Sequence, residues 1–318
     1  MSRSLLSLYV ALVLAGLAMP WLGVYPVYLM TLYSFAIFAC AFNLLLGYGG
    51  MLSFGHAAYF GLGAYVTSWL VTGPHWGTLP AIAMGMFTAL VAGLLIGLLA
   101  IRRSGIYFAM ITLALGQLVY FVCLQAPFTG GENGIQGVPR GTLLGMFSLR
   151  NDMVMYYLVF GLLIAVFLAI RRIVSSPFGQ VLKAIRENEP RAVSLGYDVD
   201  RYKLLVFALS AALAGLAGSL KALVLGFATL TDVLQATSGE VILMTLLGGA
   251  GTFLGPIVGA GIVVTLQDML SDRVGSWVTV IIGVIFVLCV LAFRKGVVGE
   301  LQAWLERRRE RAATPAGG

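Results

Sequence analysis

The chain has 318 residues, of which 60% are hydrophobic and 10% charged, with 40 glycines and a formal net charge of +7. A water-soluble domain carries about a quarter charged residues, so a soluble globular fold is excluded and the sequence reads as an all-α polytopic integral membrane protein. The basic balance does not point to nucleic acid, because Lys and Arg stand at the ends of apolar runs, where they orient a chain in a bilayer.

A hydrocarbon core about 30 Å thick takes roughly 20 apolar residues per helix. On that scale six spans are expected at 5–23, 27–46, 54–72, 79–101, 106–125 and 153–171, then two more at 204–225 and 277–293. The first resembles a signal peptide because Arg3 precedes it, but the apolar run continues to Gly23 and reads as an uncleaved helix. Between the last two spans lies a glycine-broken stretch, 240–267, which brings the expected total to about eight to ten segments. Sixteen of the twenty Lys and Arg fall at Arg3, Arg102, Arg103, in the segment from Arg171 to Lys203, and from Arg294 onward. The positive-inside bias therefore places both termini and that segment in the cytoplasm, and the outer loop at 126–152 on the other side. Lys221, inside a span, is expected near the outer interface with its ammonium snorkelling to water.

Returning to the cytoplasm at Arg294 requires an even number of crossings after Lys203. A bent hairpin over 240–267, broken at Gly248, Gly249, Gly251, Gly255 and Pro256, satisfies this, provided its freed backbone groups face protein or water and not lipid. A similar break occurs in NLLLGYGGMLSFGHAAYFGLGAY, Asn43 to Tyr65. There Gly47, Gly49 and Gly50 end one helix, and Ser53 to His56 start another with N–H groups presented to a cavity. Paired interruptions of this kind point to a solute path in transport folds, and on this reading the path is lined by Asn43, Gly50, Ser53, Phe54, His56, Leu246, Leu247 and Gly249. The other reading is that the glycines only let helices approach closely, as Gly93 with Gly97 and Gly251 with Gly255 do at four-residue spacing. His56 is either a hydrogen-bonded packing residue or a relay.

The segment 172–203 is the one long charged stretch between spans. Ser176 and Pro177 start a helix whose apolar face carries Phe178, Val181, Leu182 and Ile185. Pro190 starts a second helix that Gly196 ends, and Asp200 caps the following span. Two capped helices around ENEP form a knob suited to docking; the alternative is a solvated connector. The outer TGGENGI run, 129–135, either folds over the path or is a flexible connector. Residues 303–318 are a polar tail, and residues 1–318 as a whole read as one transmembrane domain.

No G-x-x-x-x-G-K-[ST] phosphate loop is present, so ATP would bind to a partner. Cys40, Cys123 and Cys289 lie singly in apolar runs and read as packing residues, with neither metal-site spacing nor an even set for disulfides. No nucleophile, metal cluster or acid/base pair at working spacing suggests an enzyme, and no cofactor or catalytic residue is expected.

Five blocks carry a resemblance: NLLLGYGGMLSFGHAAYFGLGAY at 43–65, SGIYFAMITLALGQ at 104–117, TGGENGI at 129–135, SPFGQVLKAIRENEPRAVSLGYDVDRYK at 176–203 and EVILMTLLGGAGTFLGP at 240–256. Together they resemble the membrane-spanning permease subunits of ABC importers for branched-chain amino acids, of the LivM type. The resemblance implies a protein of the bacterial cytoplasmic membrane that imports a hydrophobic amino acid. Its implied partners are a second homologous permease, two cytoplasmic ATPase subunits and an extracytoplasmic solute-binding protein. It assigns ATPase coupling to the 176–203 block, hence to Arg186, Glu187, Glu189, Pro190, Arg191 and Gly196. Similar permeases serve other amino acids, amides or urea, with specificity set largely by the binding protein. The residues alone also admit a self-sufficient secondary transporter or channel, in which His56 or Glu240 takes part in coupling and 176–203 is a connector.

Overall fold

A computed structural model describes residues 13–143, 147–277, 280–285, 287 and 296–300. The expected span 277–293 falls largely outside these residues, as do Arg3, Cys289, Arg294, the start of the first span and the 303–318 tail.

The described chain is helical almost throughout. The helices are α1 (Val13–Leu22), α2 (Pro26–Asn43), α3 (Ala57–Thr72), α4 (Thr78–Ala100), α5 (Ile106–Gln125), α6 (Asp152–Ser175), α7 (Pro177–Glu187), α8 (Glu189–Ser194), α9 (Val199–Leu225), α10 (Gln235–Gly248) and α11 (Gly255–Val274). Four two-residue strands, β1 (Ile135–Gln136), β2 (Thr142–Leu143), β3 (Phe147–Ser148) and β4 (Phe227–Ala228), pair as β1 with β4 and β2 with β3, both antiparallel. Among the described residues, five helices, α2 with its extension to Tyr48, α4, α5, α6 and α9, are long and apolar enough to cross a membrane. The expected hairpin over 240–267 is present as α10 and α11, which pack on each other and on α2. Its helices extend beyond the expected limits to 235 and 274, and only residues 249–254 break them.

The core lies between α2, α3 and α9. In the most apolar windows of α2 and α9, 78% of residues are buried within the chain, against 28% in α5, so the hydropathy that marks all of them as spans serves protein packing in some and an outward face in others. Apolar attraction between helices is weak in lipid, and close packing of small residues replaces it. Gly63 on α3 leaves no room for a side chain against the Gly215 backbone on α9, and a Cβ at Gly218 would overlap the Phe60 carbonyl of α3. Gly85 and Gly93 of α4 sit against Ser219 and Ala211 of α9 in the same way, and Gly97 against Leu204 and Phe207. Hydroxyls add directed bonds in this seam: Thr67 Oγ1 donates to Ser219 Oγ at 2.8 Å, and Ser219 Oγ lies 3.1 Å from the Gly63 carbonyl. The close-approach reading thus holds for Gly93 and Gly97. Gly251 and Gly255 do not share one helix face, since Gly251, with φ +82°, lies in the hairpin turn and Gly255 starts α11, but each allows a close approach, Gly255 to the end of α10 at Gly248 and Gly251 to Gly47.

The α3–α9 seam gives a stability test. Gly218→Ala places a methyl group on a backbone oxygen that cannot move aside, and it should lower stability by at least about 1–3 kcal/mol. Gly161→Ala on α6, with nothing within 4 Å of its Cβ position, should be neutral or stabilising by up to about 1 kcal/mol. Thermal unfolding in detergent ranks the two; equal transitions would disprove the packing argument.

Candidate functional site

One end of the bundle carries the α7–α8 knob. Ser176 accepts a hydrogen bond from the Gly179 amide at 3.4 Å and Pro177 occupies the first turn, so α7 starts where its residues predict. Gly179 backs onto the Val174 carbonyl at the end of α6, which fixes the fold-back. Asn188 accepts from the Arg191 amide at 3.1 Å and starts α8, and Gly196, with φ +85°, ends it. The cap of α9 is Asp198, which accepts from the Arg201 amide at 3.3 Å; the expected cap, Asp200, is the second residue of the helix, where its charge meets the positive end of the dipole. Ile185, Ala192 and Val199 close a small core beneath the knob with Val181 and Tyr202, and Phe178 stacks on Tyr202 at 5.4 Å.

The six residues assigned to coupling divide into two groups. Glu187, Pro190, Arg191 and Gly196 are exposed. Arg186 is exposed as well, but its guanidinium end donates to the Gly47 carbonyl, and the half-buried Glu189 pairs with the buried Lys203 at 2.6 Å. Three exposed apolar residues missed by the sequence reading complete the outer surface: Val193 at 57% exposure, Leu195 at 68% and Tyr197 at 41%. Val193 lies on α8, and Leu195 and Tyr197 follow its end.

Beneath the knob the two breaks meet. α2 widens into a π-turn over Leu44–Tyr48 before Gly50 takes φ +69° and the chain leaves the helix. Asn43 lies against the hairpin turn, where its Nδ2 donates to the Thr252 carbonyl at 2.9 Å and its Oδ1 accepts from the Gly251 amide at 2.8 Å. Gly249, with φ +116°, makes the turn away from α10. A cavity of about 400 Å³ opens beside this joint, lined in part by Gly50, Phe54, Arg103, Arg186, Glu189 and Lys203.

Of the expected path residues, Gly50 and Phe54 reach this cavity, Leu246 is 36% exposed on α10, and Gly249 sits in the hairpin turn. Asn43, Ser53, His56 and Leu247 are enclosed in packing. His56 lies between Phe38, Phe42 and Tyr59, with Nε2 3.0 Å from Ser210 Oγ. Ser210 donates its own proton to the Ala41 carbonyl, so Nε2 is the donor and Nδ1 carries the lone pair, which finds no hydrogen-bond partner among the described residues. The helix start expected to present free N–H groups is closed: the Ala57 amide donates to Ser238 Oγ at 2.9 Å, and the Phe54 amide to Thr112 Oγ1 at 3.3 Å.

The opposite end is tied together by polar contacts. Lys221 does not snorkel. It is buried, 2.8 Å from Asp232 and 4.4 Å from the centre of the Phe227 ring, because the turn after α9 folds an acid over it. Asp232 also accepts from the Thr229 amide, closing a capping box. The TGGENGI loop is pinned by the β1–β4 pairing, and Arg140 bridges Asp152 and the Val224 carbonyl. Within the hairpin, Glu240 hydrogen-bonds Gln267.

Lys221→Met leaves the Asp232 carboxylate buried without a cation and should cost about 3–5 kcal/mol. Adding Asp232→Asn, which keeps an acceptor for the Thr229 amide, should recover much of it. A snorkelling lysine would give a near-zero first loss, and independent residues would give additive losses; thermal unfolding of the three variants distinguishes these outcomes.

Residues 24–290 match the family model described as branched-chain amino acid transport system / permease component. The chain is 30% identical to the high-affinity branched-chain amino acid transport system permease protein LivM of Escherichia coli K12, over 83% of this chain and 68% of that protein. It is 25% identical to the probable branched-chain amino acid transport permease protein LivM of Methanocaldococcus jannaschii, over 81% of each. It is also 28% identical to the autoinducer 2 import system permease protein LsrC of Salmonella paratyphi B, over 70% of this chain and 66% of that protein. No solved structure matches the chain. A family match across nearly the whole described bundle, joined to a multi-pass helical fold, makes the chain a member of the branched-chain amino acid transport system permease family.

Proposed function

We propose that this permease moves a branched-chain or other hydrophobic amino acid inward as part of an ATP-driven importer. Its partners in this reading are a second homologous permease, two ATPase subunits docked on the α7–α8 knob and an extracytoplasmic solute-binding protein. The knob end faces the cytoplasm and the TGGENGI loop the outside, as the distribution of Lys and Arg favours. The knob carries this reading. Four capped, internally braced features (Ser176, Asn188, Gly196 and Asp198) hold up a surface whose outermost side chains, Val193, Leu195 and Tyr197, are apolar. A passive connector has no use for exposed apolar residues on a rigid support, whereas a protein interface takes its affinity from such anchors and its steering from charges around them, here Glu187 and Arg191.

The solute path runs past Gly50, Phe54 and Leu246 and by the turn at Gly249. An apolar side chain passes apolar walls there, and affinity resides in the binding protein. The LivM relatives favour a branched-chain substrate, while the LsrC relatives show that related permeases are named for a different solute.

Two measurements test this reading. Leu195→Asp should lower co-purification with the ATPase and uptake together, by about tenfold or more if Leu195 is an interface anchor, while Arg191→Glu should mainly slow association and increase its salt dependence. Unchanged assembly in both would exclude the knob as the docking surface. For the path, single cysteines at Phe54 and Leu246 should react with small water-soluble thiol reagents in at least one nucleotide state and one at His56 in none; protection at both path positions throughout would remove them from the path.

A further inference from the structure

The knob touches the membrane-embedded breaks through one side chain. Arg186, near the end of α7, reaches over Gly50, whose Cβ position lies 2.9 Å from Arg186 Cγ, and donates to the Gly47 carbonyl. That carbonyl belongs to the last turn of α2, where helical partners run out and the dipole end is negative, so a guanidinium serves both needs. Gly47 in turn backs onto the Gly251 amide, 2.5 Å from its Cβ position, and Arg186 Nη1 itself lies 3.3 Å from the Cβ position of Gly251. Asn43, one helical turn before Gly47 and on the same face, holds the Gly251 amide and the Thr252 carbonyl with its two side-chain ends. Tyr48 adds a ring contact to Phe253 at 5.7 Å. A single joint therefore contains the knob, the end of α2 and the tip of the α10–α11 hairpin, with no room for a side chain at Gly47 and little at Gly251.

We propose that Arg186 is a positioning residue that transmits displacement of the α7–α8 knob to the α10–α11 hairpin through Gly47 and Asn43, and is not a contact to the ATPase. The inference rests on the ATP-driven reading and deepens it. α7 is suited to carry such a displacement as a rigid body, since its start is fixed against α6 at Gly179 and the start of α8, just beyond its far end, is tied to α9 through Glu189 and Lys203. The joint has little slack, because backbone touches backbone at Gly47 and Gly251, so a shift at one side must move the other or break the Arg186 and Asn43 bonds. Interaction energies between its members decide whether a contiguous network couples two sites, and this one is small enough to measure.

The test uses the complete transporter reconstituted in liposomes, with ATP hydrolysis and uptake measured on the same preparation. Arg186→Gln should retain ATPase assembly and hydrolysis within about twofold while uptake per ATP falls by about fivefold or more, the size of an ordinary coupling energy. Arg186→Lys, which keeps one donor, should recover part of that ratio. Asn43→Ala should lower the same ratio, and the double variant should be no worse than the poorer single one, because both act on one joint. Gly251→Ala attacks the joint from the hairpin side and should reproduce the effect. Loss of assembly or a parallel fall of hydrolysis and uptake in Arg186→Gln would overturn the proposal in favour of a scaffold or docking role, as would additive losses in the double variant or an unchanged ratio. A wild-type complex that takes up solute without hydrolysing ATP would instead overturn the importer reading itself.

Discussion

Lipid offers no hydrogen bonds, so a helix broken inside a membrane protein must find partners for its freed amides and carbonyls within the protein. The chain breaks twice between its buried helices, after Tyr48 and after Gly248, and each break supplies what the other lacks. Asn43 gives a donor and an acceptor to residues 251 and 252. Ser238, on the helix leading to the second break, accepts the first amide of α3, which follows the first break. Thr112 of α5 takes the amide of Phe54. Position follows from this exchange: α10 must lie along the start of α3, and the hairpin tip must lie at the end of α2. The arrangement of the hairpin against the core is therefore largely a consequence of satisfying a few backbone groups away from water.

The α3, α4 and α9 seam solves a different problem with different residues. Its glycines and alanines allow backbones to touch, and Ser219 and Thr67 add bonds that are strong only if the helices are already close. The two devices need each other. A loose α3–α9 crossing would move the start of α3 away from Ser238, and an unsatisfied start of α3 would open the site that His56 fills between Phe38, Phe42 and Tyr59.

Sequence carried the helices and caps well, because hydropathy, Pro, Gly and capping residues act locally. The limits of α5 coincide with the apolar run at 106–125, and Ser176, Pro190 and Gly196 do at the knob what their chemistry predicts. The candidate site was less legible. Asn43 and Gly251 are 208 positions apart, and nothing within either segment names the other. Polar groups in apolar runs attract a path reading, yet Asn43 is satisfied by the backbone of the hairpin turn and His56 Nε2 by the Ser210 hydroxyl. The Lys221–Asp232 pair was closer to legible: an acid stands eleven positions after the lysine, across a short turn. Length alone suggests an interface position, and length does not register that the chain turns back over its own helix.

The charges of the knob show the same inward preference. Counted along the sequence, Arg186, Glu187, Glu189 and Arg191 form a polar strip ready to meet a partner. Folding divides the strip, since Arg186 is drawn to the helix end at Gly47 and Glu189 to Lys203, leaving Glu187 and Arg191 outside. What remains on the surface is an apolar cluster with a thin charged rim, the composition of an interface centre and not of a solvated loop. Charge at this end thus performs two separable tasks. The inner residues set where the knob stands relative to the broken helices, and the outer ones set how readily another protein finds it. A substitution in the strip is therefore informative only when it is assigned to one task or the other, which residue type alone cannot do and the direction of the side chain can.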